Sequence, residues 1–268
     1  QSIIILKKHK PDLVIGFGGY TSVPTIFAAK VLRIKILIHE QNSIMGKTNR
    51  LLSILTKNVA ITFKNTRYAK SSAIYTGLPV RVKKSIKNKI SKYKKIFVVG
   101  GSQGAYKFSI LVPKIISHFR NDFKRKLIVV QQARKNDIKN LGRKYRRMKI
   151  NFSLKEFFDD IYSEYQSSDL IISRCGASTL AEIEYFKKFS ILIPLPSSMD
   201  NHQYYNALEF SKNNECIIRN ELEINFEELS RKIEKRIFLN KKSYKLNNIN
   251  VQRKLSLVDL IKKILKND

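Results

Sequence analysis

The chain has 268 residues, 43% of them hydrophobic and 10% aromatic, which is enough for a sizeable core and one or two domains. Its formal net charge of +31, from 52 basic and 21 acidic residues, draws it toward polyanions such as nucleic acid or an anionic membrane surface. No run of 18 apolar residues is present, so no transmembrane helix is expected, and the opening QSIIILKKHKPD lacks the features of a signal peptide.

Lysine is spread rather than clustered, and Asn and Ile are used heavily throughout. The charge is therefore read either as compositional bias with weak surface attraction or as a selected polyanion role. There is no zinc finger and no RNA-binding aromatic signature, so no specific nucleic-acid partner is expected. Cys175 and Cys216 form no framework and read as reduced thiols. His9, His39, His118 and His202 are scattered, without metal-ligand spacing.

In chain order, residues 1–10 read as the end of a helix stopped by Pro11. A strand over 13–15 runs into GFGGY, residues 16–20, where three glycines allow positive φ and close backbone approach. Ser22 as cap and Pro24 open a helix through Leu32. A strand over 36–38 ends in HEQN, residues 39–42, read either as a ligand-facing strand end or as a solvated loop. A helix with Asn49, Leu51, Leu52 and Leu55 follows, then a strand over 59–63 and the turn-like YTGLPVR, residues 75–81.

Residues 83–95 are basic and poor in apolar side chains, a linker or surface arm. A fresh unit begins at Ile96: a strand, the glycine loop GSQGA over 101–105, and a helix through Ile116. A strand over 127–131 and a polar, basic helix or loop over 136–147 come next, then the aromatic and acidic segment EFFDDI.

The central stretch is DLIISRCGASTLAEIEYF, residues 169–186. An apolar strand passes through small residues into a helix, with Ser178 and Thr179 as candidate caps. The first N–H groups of such a helix lack intrahelical partners and favour an anion. Glu182, one turn in, is placed to accept hydrogen bonds from ligand hydroxyls. The bland reading is an ordinary strand–helix turn. A strand over 191–195 then leads into PSSMDNHQYYNA, whose polar residues suit sugar hydroxyls or a helix cap. An amphipathic helix over 221–238, a polar linker over 241–250 and a final helix marked by Leu255, Val258, Ile261 and Leu265 complete the chain.

GFGGY, HEQN with GKTNR, TGLPVR, GGSQGA, EFFDD, GASTLAE and DNHQYYNA occur in the order seen in the MurG family, which the chain resembles over nearly its whole length. That family consists of bacterial N-acetylglucosaminyltransferases of the last cytoplasmic step in peptidoglycan precursor synthesis. The resemblance implies an α/β chain with the GT-B fold, two Rossmann-like domains, the first incomplete. It implies an acceptor and membrane-side domain over 1–80, a UDP-GlcNAc-binding domain over 81–245, and a helix over 246–268 packing back on the first domain. The implied reaction moves GlcNAc with inversion from UDP-GlcNAc to undecaprenyl-linked muramyl-pentapeptide. No cofactor or essential metal is implied, and the place of action is the cytoplasmic face of the inner membrane, peripherally on an anionic surface.

Carried over by motif, Asn42 and Arg81 resemble donor-side contacts, and Ser102 resembles the residue that meets the UDP phosphates. Phe158 resembles a backbone contact to uracil. Ala177, Ser178, Thr179, Leu180, Ala181 and Glu182 resemble the helix start under the nucleotide, with Glu182 on the ribose. Gln203 resembles a contact to GlcNAc hydroxyls, and Gly18 and Gly19 resemble the loop facing the acceptor pyrophosphate. Three positions depart from the family: Cys175 for Ser, Leu78 for Asn, and FKKFS in place of a Gly-Leu-Pro turn. The family's first glycine loop, GGTGGH, which carries the proposed base or acceptor-orienting histidine, falls upstream of Gln1, so the chain reads as N-terminally shortened. A UDP-GlcNAc 2-epimerase-like enzyme and a non-catalytic basic module binding membrane or polyanions are the alternatives.

Overall fold

The computed structural model describes residues 1–81, 93–239 and 255–266, apart from the side chains of 102–105 and 239. The linkers expected over 83–95 and 241–250, and the boundary expected near residue 245, lie wholly or largely outside the described residues. Two compact units are present. One comprises Gln1–Val80, Asn250–Asp268 and the short stretch Gly176–Ala181; the other comprises Arg81–Cys175 and Glu182–Ile249.

The first unit opens with α1 (Ser2–His9), which ends at Lys10 in a left-handed conformation, one residue before Pro11. Then come β1 (Leu13–Gly16), α2 (Val23–Val31), β2 (Lys35–Glu40), α3 (Lys47–Leu52), β3 (Val59–Ile61) and β4 (Ile74–Tyr75). The four strands form one parallel sheet in sequential order. Period-two alternation sends Val14, Ile36, Ile38 and Val59 into a core with Leu6, Ile26 and Ala29 of the helices. Ser22 does not cap α2 with its side chain; its hydroxyl donates back to the Gly19 carbonyl at 2.8 Å. β2 is longer than expected and takes in His39 and Glu40, both buried.

The second unit contains β5 (Lys94–Val99), α4 (Gly101–Ser117), α5 (Asn121–Lys124), β6 (Leu127–Gln132), α6 (Lys135–Arg147), β7 (Asn151–Lys155), α7 (Ile161–Ser167) and β8 (Leu170–Ser173). It continues through the second half of α8 (Ala177–Phe186), β9 (Ser190–Leu192), α9 (His202–Ser211), β10 (Cys216–Ile218) and α10 (Phe226–Glu234). Its six-stranded sheet is parallel throughout, in the order β10-β9-β8-β5-β6-β7. Such a sheet is covered on both faces, which is why β5 and β8 are near-continuous apolar runs. Ile96, Val98, Leu170 and Ile172 pack with Phe108, Val112 and Ile115 of α4, while Phe97 turns to the other face against Tyr165.

Several boundaries differ from those expected. β5 starts at Lys94, two residues before Ile96, because Lys94 and Lys95 pair with Asp169 and Glu164 at the sheet margin. β7 and α7 were not expected: β7 is an edge strand whose Phe152 and Leu154 are only partly buried, and α7 is announced by Asp160, whose carboxylate accepts the Ser163 N–H. α10 starts at Phe226 rather than near Glu221, because Asn225 caps it.

The final helix, α11 (Leu257–Lys266), belongs to the first unit. Ser256 caps its start: the Ser256 hydroxyl accepts the Asp259 N–H at 3.1 Å and donates to the Asp259 carboxylate at 2.6 Å. Its buried stripe is Leu257, Leu260 and Ile264, packed on Leu37 of β2 and Ala60 of β3. Of the residues that marked this helix, Leu255, Val258 and Leu265 stay largely exposed. Truncating Leu260 to Ala should cost about 2–5 kcal/mol.

Candidate functional site: two strand-end loops at a switch in strand order

The strand order of the second unit reverses between β5 and β8. From β5 the chain runs outward through β6 and β7; from β8 it runs the other way through β9 and β10. In open parallel sheets, ligands bind beyond the carboxyl ends of the strands at such a switch. The strand-end residues Val99 and Ser173 are register partners. The turns that follow are Gly100 with Gly101 after β5 and Cys175 with Gly176 after β8. Each opens a helix, α4 and α8, and the first N–H groups of a helix have no partner within it.

Gly101 adopts φ +62, where a side chain would be strained. Its N–H donates to Gln132 Oε1 at 3.1 Å, and Gln132 Nε2 donates to the Glu156 carbonyl at 3.1 Å. One amide at the end of β6 thus ties the α4 turn to the segment after β7. Ser102 lies in the first turn of α4, and its side chain is outside the described residues. Phe158, in the loop after β7, is half-buried and rests its ring edge-on against Phe97 at 5.3 Å.

The α8 turn is held from α9. Gln203 Oε1 accepts the Cys175 N–H at 3.1 Å and the Leu195 N–H at 3.0 Å. Asn206 Nδ2, fully buried, donates to the Cys175 carbonyl at 3.1 Å. Gln203 was expected as a sugar contact; its carbonyl is spent on the scaffold, leaving the amide NH₂ as its outward donor. Ser178 and Thr179, expected as caps, lie inside the first turn of α8, whose first backbone bond runs from the Leu180 N–H to the Gly176 carbonyl. Ser178 is exposed, Thr179 and Ala181 are half-buried, and Ala177 and Leu180 are buried.

Glu182 is half-buried. Burial pushes its carboxyl above the usual range, against a smaller opposing effect of a hydrogen bond with Tyr165. Sequence reasoning missed Arg174. Its side chain is buried at the end of β8, donates to the Ile193 and Pro194 carbonyls at 3.2 and 3.1 Å, and pairs with Glu221 at 2.7 Å. A charge placed directly after an apolar strand was the available signal. Removing one partner of such a buried pair costs about 3–5 kcal/mol. Arg81 is exposed at the end of the first described stretch.

In the first unit, the loop after β1 carries Gly18 and Gly19 at φ +90 and +78. The HEQN segment is not a solvated loop. His39 is fully buried; its Nε2 meets the Gly77 carbonyl at 3.2 Å, and its ring tilts against Phe17 at 5.5 Å. Desolvation lowers its pKa, outweighing the contributions of Gly77 and Glu40. Glu40 accepts from the N–H groups of Asn42 and Gly46 and from the Asn49 amide. Asn42, expected as a donor-side contact, therefore sits in a loop folded around the Glu40 carboxylate. No group of metal-binding side chains occurs among the described residues.

Two parallel α/β sheets, the larger with a switch in strand order between β5 and β8, define a protein of the GT-B class. The glycosyltransferase family 28 C-terminal domain model matches residues 95–264, and the N-terminal domain model of that family matches residues 1–61. The chain is 41% identical over 249 residues to the UDP-N-acetylglucosamine–N-acetylmuramyl-(pentapeptide) pyrophosphoryl-undecaprenol N-acetylglucosamine transferase of Rickettsia bellii (strain RML369-C), covering 87% of this chain and 69% of the relative. It is 40% identical over 214 residues to the same transferase of Wolbachia pipientis wMel, covering 80% and 62%. The crystal structure of Acinetobacter baumannii MurG superposes with a TM-score of 0.73 at 29% identity, over 88% of this chain and 68% of that one. A putative UDP-N-acetylglucosamine 2-epimerase from Listeria monocytogenes superposes at 0.63 with 13% identity, over 90% and 69%, a likeness of fold alone. The chain belongs to glycosyltransferase family 28, in the branch of these MurG transferases. It spans 62% to 69% of the length of the curated relatives named here.

Proposed function

We propose that this chain moves N-acetylglucosamine, with inversion, from UDP-GlcNAc to an undecaprenyl-diphosphate muramyl-pentapeptide. The observation that carries this reading is the 41% identity to a named transferase over 249 residues. The chemistry at the switch point agrees with it. Inverting transfer leaves negative charge on the departing diphosphate, and helix starts such as those of α4 and α8 favour such charge, the Gly101 N–H itself being held by Gln132. In this reading Ser102 adds a hydroxyl, Arg81 a cation, Phe158 a backbone contact to the base, and Glu182 an acceptor for the ribose. Gln203 offers its amide donors to the sugar, Asn42 a further donor-side contact, and Gly18 and Gly19 face the acceptor diphosphate. No resident metal or cofactor takes part.

The lipid acceptor calls for peripheral binding at the cytoplasmic leaflet of the inner membrane. A cleft of about 800 Å³ in the first unit supports that placement: it is lined by Lys30, Arg33, Lys57 and Lys70 together with Ile34 and the exposed Ile54. Each basic residue near an anionic surface contributes about 1 kcal/mol. No helix among the described residues is long and apolar enough to cross a membrane.

The test is transfer of radiolabelled GlcNAc to a lipid acceptor analogue, with calorimetric titration of UDP-GlcNAc. Ser102→Ala and Glu182→Ala should each weaken binding about tenfold to a hundredfold. Unchanged affinity in both variants would remove the donor-site assignment. Flotation with anionic vesicles should show binding that weakens with salt; equal binding to neutral vesicles would overturn the membrane reading.

A further inference from the structure

We propose that Glu40 is a positioning residue for the acceptor side of the site, setting the glycine loop through Asn49 and the Asn42 loop through backbone N–H groups. The proposal rests on the reading of Gly18 and Gly19 as acceptor-facing. Glu40 ends β2 and is only 3% exposed. Its Oε1 accepts the Asn42 N–H at 2.8 Å and lies 3.4 Å from Asn42 Nδ2. Its Oε2 accepts the Gly46 N–H at 3.0 Å and Asn49 Nδ2 at 2.8 Å. Both oxygens are acceptors only, so the carboxylate imposes donors on everything around it.

That imposition decides which way the Asn49 amide points. Asn49 is itself 2% exposed, and its Nδ2 donates most closely to Glu40 Oε2 at 2.8 Å, with the His39 carbonyl farther off at 3.4 Å. Its Oδ1 is buried without a hydrogen-bond partner among the described residues. A Cβ on Gly18 would lie 3.1 Å from Asn49 Nδ2 and 3.5 Å from Oδ1, so the amide forms the floor directly under the glycine loop. A buried acceptor left open is costly unless it serves something. Here it presents a fixed acceptor beneath a loop whose two glycines already hold positive φ. A glutamine at position 40 would offer one acceptor and one donor, and the Asn49 amide would lose its imposed orientation.

The test uses Glu40→Gln and Asn49→Ser in the full chain. Amide hydrogen exchange should quicken about tenfold or more over residues 16–20 in both variants, and over 42–46 in Glu40→Gln. Strand β5 should exchange as in the unsubstituted protein. The affinity for a short-prenyl diphosphate muramyl-pentapeptide should fall about tenfold in both variants, while in Asn49→Ser UDP affinity stays within twofold. Should Glu40→Gln fail to fold, Asn49→Ser decides. Unchanged exchange over 16–20, or equal losses of acceptor and UDP affinity in Asn49→Ser, would overturn the role of Glu40. If the unsubstituted chain binds neither ligand, the transferase reading fails, and the exchange measurement still decides whether Glu40 sets the loop.

Discussion

The side-chain carbonyl of Gln203 accepts the backbone N–H of Cys175, and the same oxygen accepts that of Leu195. One atom on α9 thus joins the turn after β8 to the segment after β9. Gln203→Ala leaves two backbone donors without their acceptor, at about 1–3 kcal/mol each. Gln203→Glu keeps the acceptor and removes the amide donors. Urea unfolding should show a loss of stability in the first variant and little in the second. Calorimetry on Gln203→Glu should show weakened UDP-GlcNAc binding with UDP binding retained.

Glu182 holds a carboxyl that burial pushes above its ordinary value of 4.5. The folded chain therefore binds this proton more tightly than the unfolded chain. The stabilisation is present below pH 4.5 and is lost as pH rises through the folded value. Glu182→Gln should melt at a higher temperature than the unsubstituted protein at pH 7, with the gap closing below pH 4.5. The same variant should bind UDP-GlcNAc more weakly, so stability and binding move in opposite directions. A lower melting temperature at pH 7 would contradict this account.

Burial pushes the Cys175 thiol up strongly and the Cys216 thiol up to about 11. Neither forms appreciable thiolate at pH 7, and thiolate is the reactive form. Iodoacetamide should label the native protein slowly and the urea-unfolded protein quickly. Cys175→Ser should leave UDP affinity unchanged, since the side chain is buried and Cys175 meets α9 through its backbone N–H and carbonyl.

His39 is buried with its pKa held below 6.5. The unfolded chain takes up a proton near pH 6.5 and the folded chain only at lower pH. The contribution of His39 to stability is complete above pH 6.5 and is lost as pH falls through the folded value. Denaturation midpoints between pH 8 and 5 should decline for the unsubstituted protein, and less steeply for His39→Gln. Burial and the contact with the Gly77 carbonyl fit a structural part for His39.

Parallel sheets, the strand–glycine–helix turns and the motif order were legible because they rest on local chemistry. Apolar runs such as Leu170 to Ile172 make buried strands, and small residues after them make helix starts that admit an anion. What spacing could not supply was the use of each polar side chain. Glu40 reads as a solvated strand end until the loop of Asn42, Gly46 and Asn49 folds over it. Gln203 reads as free until Cys175 and Leu195 claim its carbonyl. The stripe of α11 that is buried depends on Leu37 and Ala60, more than 190 positions away, because apolar residues line more than one face of that helix. Side-chain type and period are properties of the chain. Which donor meets which acceptor, and which of two apolar faces goes inside, is settled only when distant segments exclude water from one another.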